Sequence, residues 1–100
     1  MTDTVYSINN IQSALYPVFN RYRIKKATLF GSYAKGLADS KSDVDLLLDS
    51  GLRGLSFVGL IEDIHNALDK DVDVFDVKHI VPDSMIQREI NRDGVTIYEE

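Results

Sequence analysis

Two aspartate pairs, Asp43/Asp45 and Asp71/Asp73, open otherwise apolar runs that have the pattern of β-strands. Side chains two residues apart leave the same face of a strand, so each pair presents two neighbouring carboxylates. Aspartate is depleted in strands, and like charges this close repel each other. Such departures from local preference concentrate at functional sites, and clustered carboxylates are the hard oxygen ligands that Mg²⁺ prefers. The pairs therefore indicate a metal site, although a solvated strand end is the ordinary explanation for one pair alone.

The dipeptide Gly31-Ser32 is a second candidate, because it follows a strand-like segment and opens a short helix. Helix N-termini present free N–H groups and a partial positive charge, which suits an anionic phosphate. Glycine allows the backbone to approach a ligand closely, and the Ser32 hydroxyl can donate to a phosphate oxygen. By itself the dipeptide is more typical of an ordinary turn. Ten residues separate it from Asp43, so a possible phosphate-binding turn accompanies a carboxylate pair.

The spacing of apolar residues predicts the elements that must position these side chains. Steps of three and four residues predict helices, and alternation predicts strands. The predicted order is a helix over 8–22, a strand over 26–30, a short helix over 32–36, a strand over 43–48, a helix over 55–70, a strand over 71–77, a helix from about 83 to 94, and a strand over 95–98. Helices that alternate with strands favour an α/β sheet, and strand direction is left open.

Three local features concern how the helices begin and continue. Pro17 predicts a kink or a shortening of the first helix, because proline lacks an N–H and clashes one turn back. Ser56 is a candidate N-cap for the helix over 55–70, and Asp83 is a candidate N-cap for the helix that follows Pro82.

Composition limits the chemistry. One hundred residues, 44% of them hydrophobic, suit one domain over residues 1–100. The absence of cysteine excludes disulfides and thiol nucleophiles. A net charge of −5 has the wrong sign for binding a phosphate backbone, so we expect no direct nucleic-acid partner. No apolar run approaches the ~18 residues of a membrane span, and the N-terminus lacks signal-peptide features, so we expect a cytoplasmic protein with no membrane partner.

The joint pattern of Gly31-Ser32 and Asp43-x-Asp45 resembles the signature of the nucleotidyltransferase superfamily. It reads GSYAKG over 31–36 and SDVDLLL over 42–48. The resemblance extends from Ile24 to Tyr98, and the small size is similar to the minimal nucleotidyltransferase branch. It implies a polymerase-β-like fold, a mixed sheet of about four strands flanked by helices in the order α-β-α-β-α-β-α-β.

The resemblance implies a nucleotide-binding role for the turn. In the family, the Gly-Ser turn holds the phosphates of the nucleotide, which here assigns that role to Gly31 and Ser32. Lys35 stands where the family often has arginine, and it joins the nucleotide-binding set. Lysine keeps the charge but loses the bidentate fork toward phosphate.

The resemblance also implies the catalytic and metal-binding acids. The family's paired acids bind two Mg²⁺ ions, and by position these are Asp43 and Asp45. A third acid on a later strand completes the metal site and helps to deprotonate the attacking hydroxyl. Asp73 is the best match, because it stands within an apolar-Asp-apolar-apolar run. Asp71, at the start of that strand, and Asp76, on its opposite face, are the competitors.

The implied function is a Mg²⁺-dependent transfer of AMP from ATP to a tyrosine of a cognate HEPN-domain ribonuclease toxin. The protein would then be the antitoxin. Two alternatives remain open: a non-catalytic antitoxin that neutralises its toxin by binding alone, and an α/β domain whose acids only solvate an edge. Assembly with itself or with the toxin is also left open. Close packing of Asp43, Asp45 and Asp73 should raise the pKa of at least one of them.

Two further residues have competing interpretations. His65 lies on the predicted helix beside Ile61 and Ile64, and a packed or surface histidine is favoured over a catalytic one because no partner supports it. Tyr33 is favoured as a core residue over a platform for a nucleobase.

Overall fold

The computed structural model describes residues 5–100, which alternate helices with strands. The elements are α1 (Ile8–Tyr22), β1 (Lys26–Phe30), α2 (Gly31–Lys35), β2 (Val44–Asp49), α3 (Leu55–Leu68), β3 (Val72–Asp76), a 3₁₀ turn (Val77–His79), α4 (Met85–Asp93) and β4 (Val95–Glu99). The predicted α/β class and element order are confirmed, with the 3₁₀ turn as an addition. Among the described helices, none has both the length and the apolar character needed to cross a membrane.

The four strands form one mixed sheet in the order β3-β2-β1-β4. β1 pairs antiparallel with both β2 and β4, whereas β2 and β3 run parallel. A parallel pair needs a long crossover connection, and α3 supplies it. Because β2 and β3 run parallel, their first residues lie at the same end of the sheet.

One face of the sheet carries the hydrophobic core. Register pairs Ala27 with Leu48 and Leu29 with Leu46, and all four side chains are fully buried. Helices α1 and α3 cover this face with a second set of buried residues: Ile11, Leu15, Val18, Phe19, Leu60, Ile64 and Leu68. Since side chains alternate along a strand, the residues between these core positions face the other side.

Pro17 does not shorten α1, which runs without interruption from Ile8 to Tyr22. Proline removes one helical hydrogen bond. Leu15, Val18 and Phe19, on either side of Pro17, are buried against the sheet, and this packing holds the helix together through the proline. The expected shortening is therefore wrong.

The predicted caps of α3 and α4 are also wrong. The N-cap of α3 is Gly54, at a φ of 64°, rather than Ser56. The N-cap of α4 is Ser84, whose hydroxyl oxygen accepts a hydrogen bond from the Gln87 N–H at 3.2 Å. Asp83 instead lies in a turn with a φ of 61°. A turn after Pro82 delays the helix, and the cap moves one residue along the chain.

Asp76 faces the core side of the sheet and is 2% exposed. Its carboxylate accepts hydrogen bonds from the Ser50 hydroxyl at 2.6 Å and from the Lys78 backbone N–H at 3.1 Å. Burial by itself would raise the pKa of Asp76, but these hydrogen bonds to the charged form outweigh it and lower the pKa below its ordinary value. Asp76 therefore ties the ends of β2 and β3 together, on the face opposite the candidate site.

Replacing Asp76 with alanine should destabilise the protein, because the Ser50 hydroxyl and the Lys78 N–H lose their acceptor. Loss of a buried hydrogen-bonding partner costs about 1–3 kcal/mol, which lowers the melting temperature by roughly 4–8 °C per kcal/mol in a domain of this size. Because the folded pKa of Asp76 is lowered, its stabilising effect is present above the pKa of an unfolded aspartate. The effect is lost as the pH falls through the folded value. Thermal unfolding at pH 7 and pH 3 measures this, with exposed Asp71→Ala as control, and equal melting of both variants at pH 7 would contradict it.

Candidate active site

Asp45 and Asp73 lie side by side at one end of the sheet. Asp45 pairs in register with Asp73 on β3 and with Phe30 on β1. Both carboxylates point to the face opposite the core, and Asp45 is half-buried whereas Asp73 is exposed. Phe30 is buried and contacts Phe75 across β2, with the ring centres 5.8 Å apart. Asp45 is therefore flanked by an aromatic ring on one side and a carboxylate on the other.

Asp43 lies just before β2, at the end of a polar loop, and is exposed. Within the loop, the Asp39 N–H donates to the Ser42 hydroxyl at 2.9 Å. The Lys70 ammonium is buried and donates to the Ser40 carbonyl at 3.0 Å. These contacts fix the backbone that presents Asp43. Lys70 was not singled out by the sequence, because a lysine at the end of a predicted helix is typical of a solvated surface.

Gly31 brings the start of α2 against Asp45. Its φ is 75°, a left-handed conformation that side chains rarely adopt, and a Cβ at this position would overlap the Asp45 carboxylate oxygen Oδ2. Two constraints therefore require glycine at this position: the left-handed backbone conformation, and the lack of room for a Cβ beside Asp45. Ser32 follows as the next residue of α2 and is half-buried.

Lys35 ends α2 and is paired with an acid that the sequence analysis missed. Its ammonium lies 3.8 Å from the Glu89 carboxylate on α4, and both side chains are 32% exposed. Glu89 is also close enough to Asp45 to raise its pKa. No local pattern marks Glu89, because only the packing of α4 beside α2 brings it here.

The pKa of Asp45 is raised to about 6, chiefly because partial burial penalises its charged form. The negative charge of Asp73 and a hydrogen bond between the two carboxyls add to the rise in pKa. Charges on Asp43 and Glu89 act in the same direction. The expected pKa increase in this acid cluster is confirmed at Asp45. A pKa near neutrality marks a carboxylate whose charge the surroundings do not balance.

The third-strand candidates separate by position. Asp73 is the one in register with Asp45, whereas Asp76 is buried on the opposite face. Asp71 lies outside β3, where its carboxylate is 3.8 Å from the Nε2 of His65. Tyr33 is 4% exposed and belongs to the core, as expected.

The donor set suits Mg²⁺, although it is not a complete cation site. Within residues 5–100, no three His, Asp or Glu side chains converge closely enough to hold an ion by themselves. Mg²⁺ commonly takes one or two protein carboxylates and completes its octahedron with water and substrate phosphates. The adjacent pair of Asp45 and Asp73, with Asp43 beside it, matches that requirement. The missing Cβ of Gly31 gives room to the Asp45 carboxylate itself.

The sheet is mixed and four-stranded, and a glycine turn packs against a pair of aspartates on neighbouring strands. This combination is typical of a nucleotidyltransferase domain. The family model "Polymerase beta, Nucleotidyltransferase" matches residues 13–100, and the chain belongs to that family. The family expected from the sequence, and the fold that it implies, are thereby confirmed.

One named protein and several solved structures are similar to this chain. A protein of Methanocaldococcus jannaschii, provisionally named a protein adenylyltransferase, is 33% identical over 79 residues, which cover 76% of this chain and 84% of the relative. A crystal structure of a toxin–antitoxin with AMP-PNP superposes with a TM-score of 0.74 at 20% identity, covering 89% of this chain and 73% of that chain. A tri-AMPylated Shewanella oneidensis HEPN toxin in complex with MNT antitoxin gives a TM-score of 0.69 at 18% identity, over 93% and 73% of the two chains. At these identities the solved structures support the fold.

Gly31→Ala should be more damaging than Gly36→Ala. Both glycines have a φ near 75°, but a Cβ at Gly36 meets no atom within 4 Å, whereas one at Gly31 overlaps Asp45. Gly36→Ala should cost only the strain of a left-handed residue, about 1–2 kcal/mol. Gly31→Ala should lower the melting temperature further in a thermal-shift assay, because the Asp45 carboxylate must also be displaced. An equal response of the two variants would show that the Gly31–Asp45 contact does not matter.

The raised pKa of Asp45 predicts a pH dependence for the metal-free protein. A carboxyl whose folded pKa is above its unfolded value of ~3.9 stabilises the fold at low pH, and this contribution is lost as the pH rises through the folded value. The stability of wild type relative to Asp45→Asn should therefore fall between about pH 4 and pH 6. Urea unfolding of both proteins in EDTA across this range measures the difference. A difference that rises with pH would mean that Asp45 is stabilised as an anion.

Proposed function

We propose that this protein is a Mg²⁺-dependent adenylyltransferase that moves AMP from ATP to a tyrosine of a cognate HEPN-domain toxin and so acts as its antitoxin. The 100 residues would form one domain that takes ATP as substrate and two Mg²⁺ ions. Family membership supports nucleotidyl transfer. The provisional name of the M. jannaschii relative supports a protein acceptor, and the tri-AMPylated toxin of the S. oneidensis complex supports a HEPN partner. A cytoplasmic location remains a prediction from the sequence.

The reaction joins the tyrosine oxygen to the α-phosphorus of ATP. The bond from that phosphorus to the oxygen bridging the α- and β-phosphates breaks, and pyrophosphate leaves with both bonding electrons. Such transfers depend on positioning and charge neutralisation more than on covalent chemistry by the protein. Bound Mg²⁺ would neutralise charge on the entering and leaving oxygens.

Each side chain has a distinct role in this proposal. Asp43, Asp45 and Asp73 hold the metal, and Asp73 also accepts the proton of the attacking hydroxyl. Gly31 and Ser32 bind the phosphates through the backbone and the serine hydroxyl. Lys35 exchanges its partner Glu89 for a phosphate oxygen when the nucleotide binds.

The observation that carries the proposal is the register of Asp45 with Asp73 beside the Gly31 turn. A binding protein without catalysis has no need for two carboxylates forced together, one with a raised pKa. Nor does it need a glycine against which one of these carboxylates packs so closely that no side chain would fit.

Incubation with ATP, Mg²⁺ and its cognate HEPN-domain toxin should add AMP to the toxin and release pyrophosphate. Intact-mass spectrometry of the partner measures the addition, and EDTA should prevent it. A partner that stays unmodified while its ribonuclease activity is neutralised would favour an antitoxin that acts by binding alone.

Asn substitutions should separate the acids by role. Asp43→Asn, Asp45→Asn and Asp73→Asn should each lower the transfer rate at least a hundredfold, because each removes a charged ligand. Asp49→Asn is the matched control, because Asp49 is on the same strand and face as Asp45 but at its far end, opposite Lys26. Its rate should equal that of wild type. Full activity of Asp73→Asn would remove that residue from the proposed metal site.

A further inference from the structure

A cleft of about 460 Å³ opens between α3 and the edge strand β3. Its volume is within the ~300–1,000 Å³ that is usual for ligand sites. The edge strand and the loop before β2 contribute its acidic wall, while α3 contributes the opposite wall. The polar lining residues are Asp43, Asp71, Asp73, Glu62 and His65, and Ile61 and Val72 supply apolar surface.

The cleft and the proposed nucleotide-binding turn lie on opposite sides of β2. Gly31, Ser32 and Lys35 follow β1, on one side of β2, whereas the cleft lies beyond β3, on the other side. Asp43 and Asp73 belong both to the proposed metal site and to the cleft. The entering and leaving oxygens of an in-line displacement lie on opposite sides of the phosphorus. If pyrophosphate leaves from the α2 side, the hydroxyl must enter from the β3 side.

We infer that this cleft receives the hydroxyl-bearing side chain of the acceptor protein and that His65 is the positioning residue for it. The inference rests on the proposed function and names the acceptor side of the same site. His65 is 46% exposed at the wall formed by α3, with its Nε2 3.8 Å from the Asp71 carboxylate. It is the one side chain of the polar lining that is not a carboxylate, and an imidazole can donate to or accept from a hydroxyl.

The lining also selects the class of acceptor. The hydroxyl of an RNA would bring its phosphates against Glu62 and Asp71, the two lining carboxylates outside the proposed metal site, and the interaction would be repulsive. A tyrosine side chain brings no charge, and its ring can pack on Ile61 and Val72. Basic residues near the acceptor tyrosine would be attracted to Glu62 and Asp71, which lie outside the proposed metal site.

The histidines provide a matched pair for the test. His79 is also exposed, but it lies in the 3₁₀ turn and lines a different cavity, beside Leu52 and Phe57. With the cognate HEPN-domain toxin as acceptor, His65→Ala should lower kcat/KM for the acceptor at least tenfold. The KM for ATP should stay within twofold of the wild-type value. The melting temperature should stay within about 2 °C of wild type. His79→Ala should match wild type, and His65→Gln should recover at least a third of the rate because it retains a hydrogen-bonding group.

The outcomes distinguish this inference from the function on which it rests. Equal acceptor kinetics for His65→Ala and wild type would overturn the inference and leave the proposed function intact. A wild-type protein that transfers AMP to RNA and not to the HEPN-domain protein would overturn both. A loss in His65→Ala that appears equally in the KM for ATP would place His65 on the nucleotide side and overturn the acceptor site.

Discussion

The parallel register of β2 with β3 is the constraint on which the site depends. It sets Asp45 opposite Asp73, and the antiparallel register of β1 sets Phe30 on the other side of Asp45. Partial burial, together with the negative charge of Asp73, raises the pKa of Asp45 to about 6. Gly31 then closes the site, because any larger residue would overlap the Asp45 carboxylate. A one-residue slip of β3 would turn Asp73 to the core face and separate the two acids.

Crowding these charges destabilises the fold, and the burial of apolar side chains on the other face of the same strands offsets this effect. Val44, Leu46 and Leu48 alternate with Asp45 along β2 and are fully buried under α1 and α3. Each such side chain stabilises the fold by about 1.5–3 kcal/mol. The two faces of β2 thus have opposite effects on stability. The apolar face fixes the register that forces the acids together.

Sequence patterns predicted much of this arrangement. Alternation placed Asp73 and Asp76 on opposite faces of β3, and the glycine turn and Asp43-x-Asp45 stood out by spacing. Strand direction was not predictable, because it depends on which strands pair. Glu89 and Lys70 were missed for a related reason: their partners, Lys35 and Ser40, lie in distant segments that only tertiary packing brings close. The errors at Ser56 and Asp83 arose because backbone turns, rather than the nearest polar side chain, decide where α3 and α4 begin.

The electrostatics of the site explain how an acidic chain would handle a polyphosphate. The net charge is −5, and Lys35, the cation at the glycine turn, is already paired with Glu89. Protein charge therefore supplies little attraction for ATP, whereas a divalent cation between the carboxylates and the phosphates reverses the sign of the local field. Under the proposed function, nucleotide binding would require the metal, and the metal would require phosphates to complete its ligands. This mutual dependence would make the carboxylate pair functional only when the nucleotide is present.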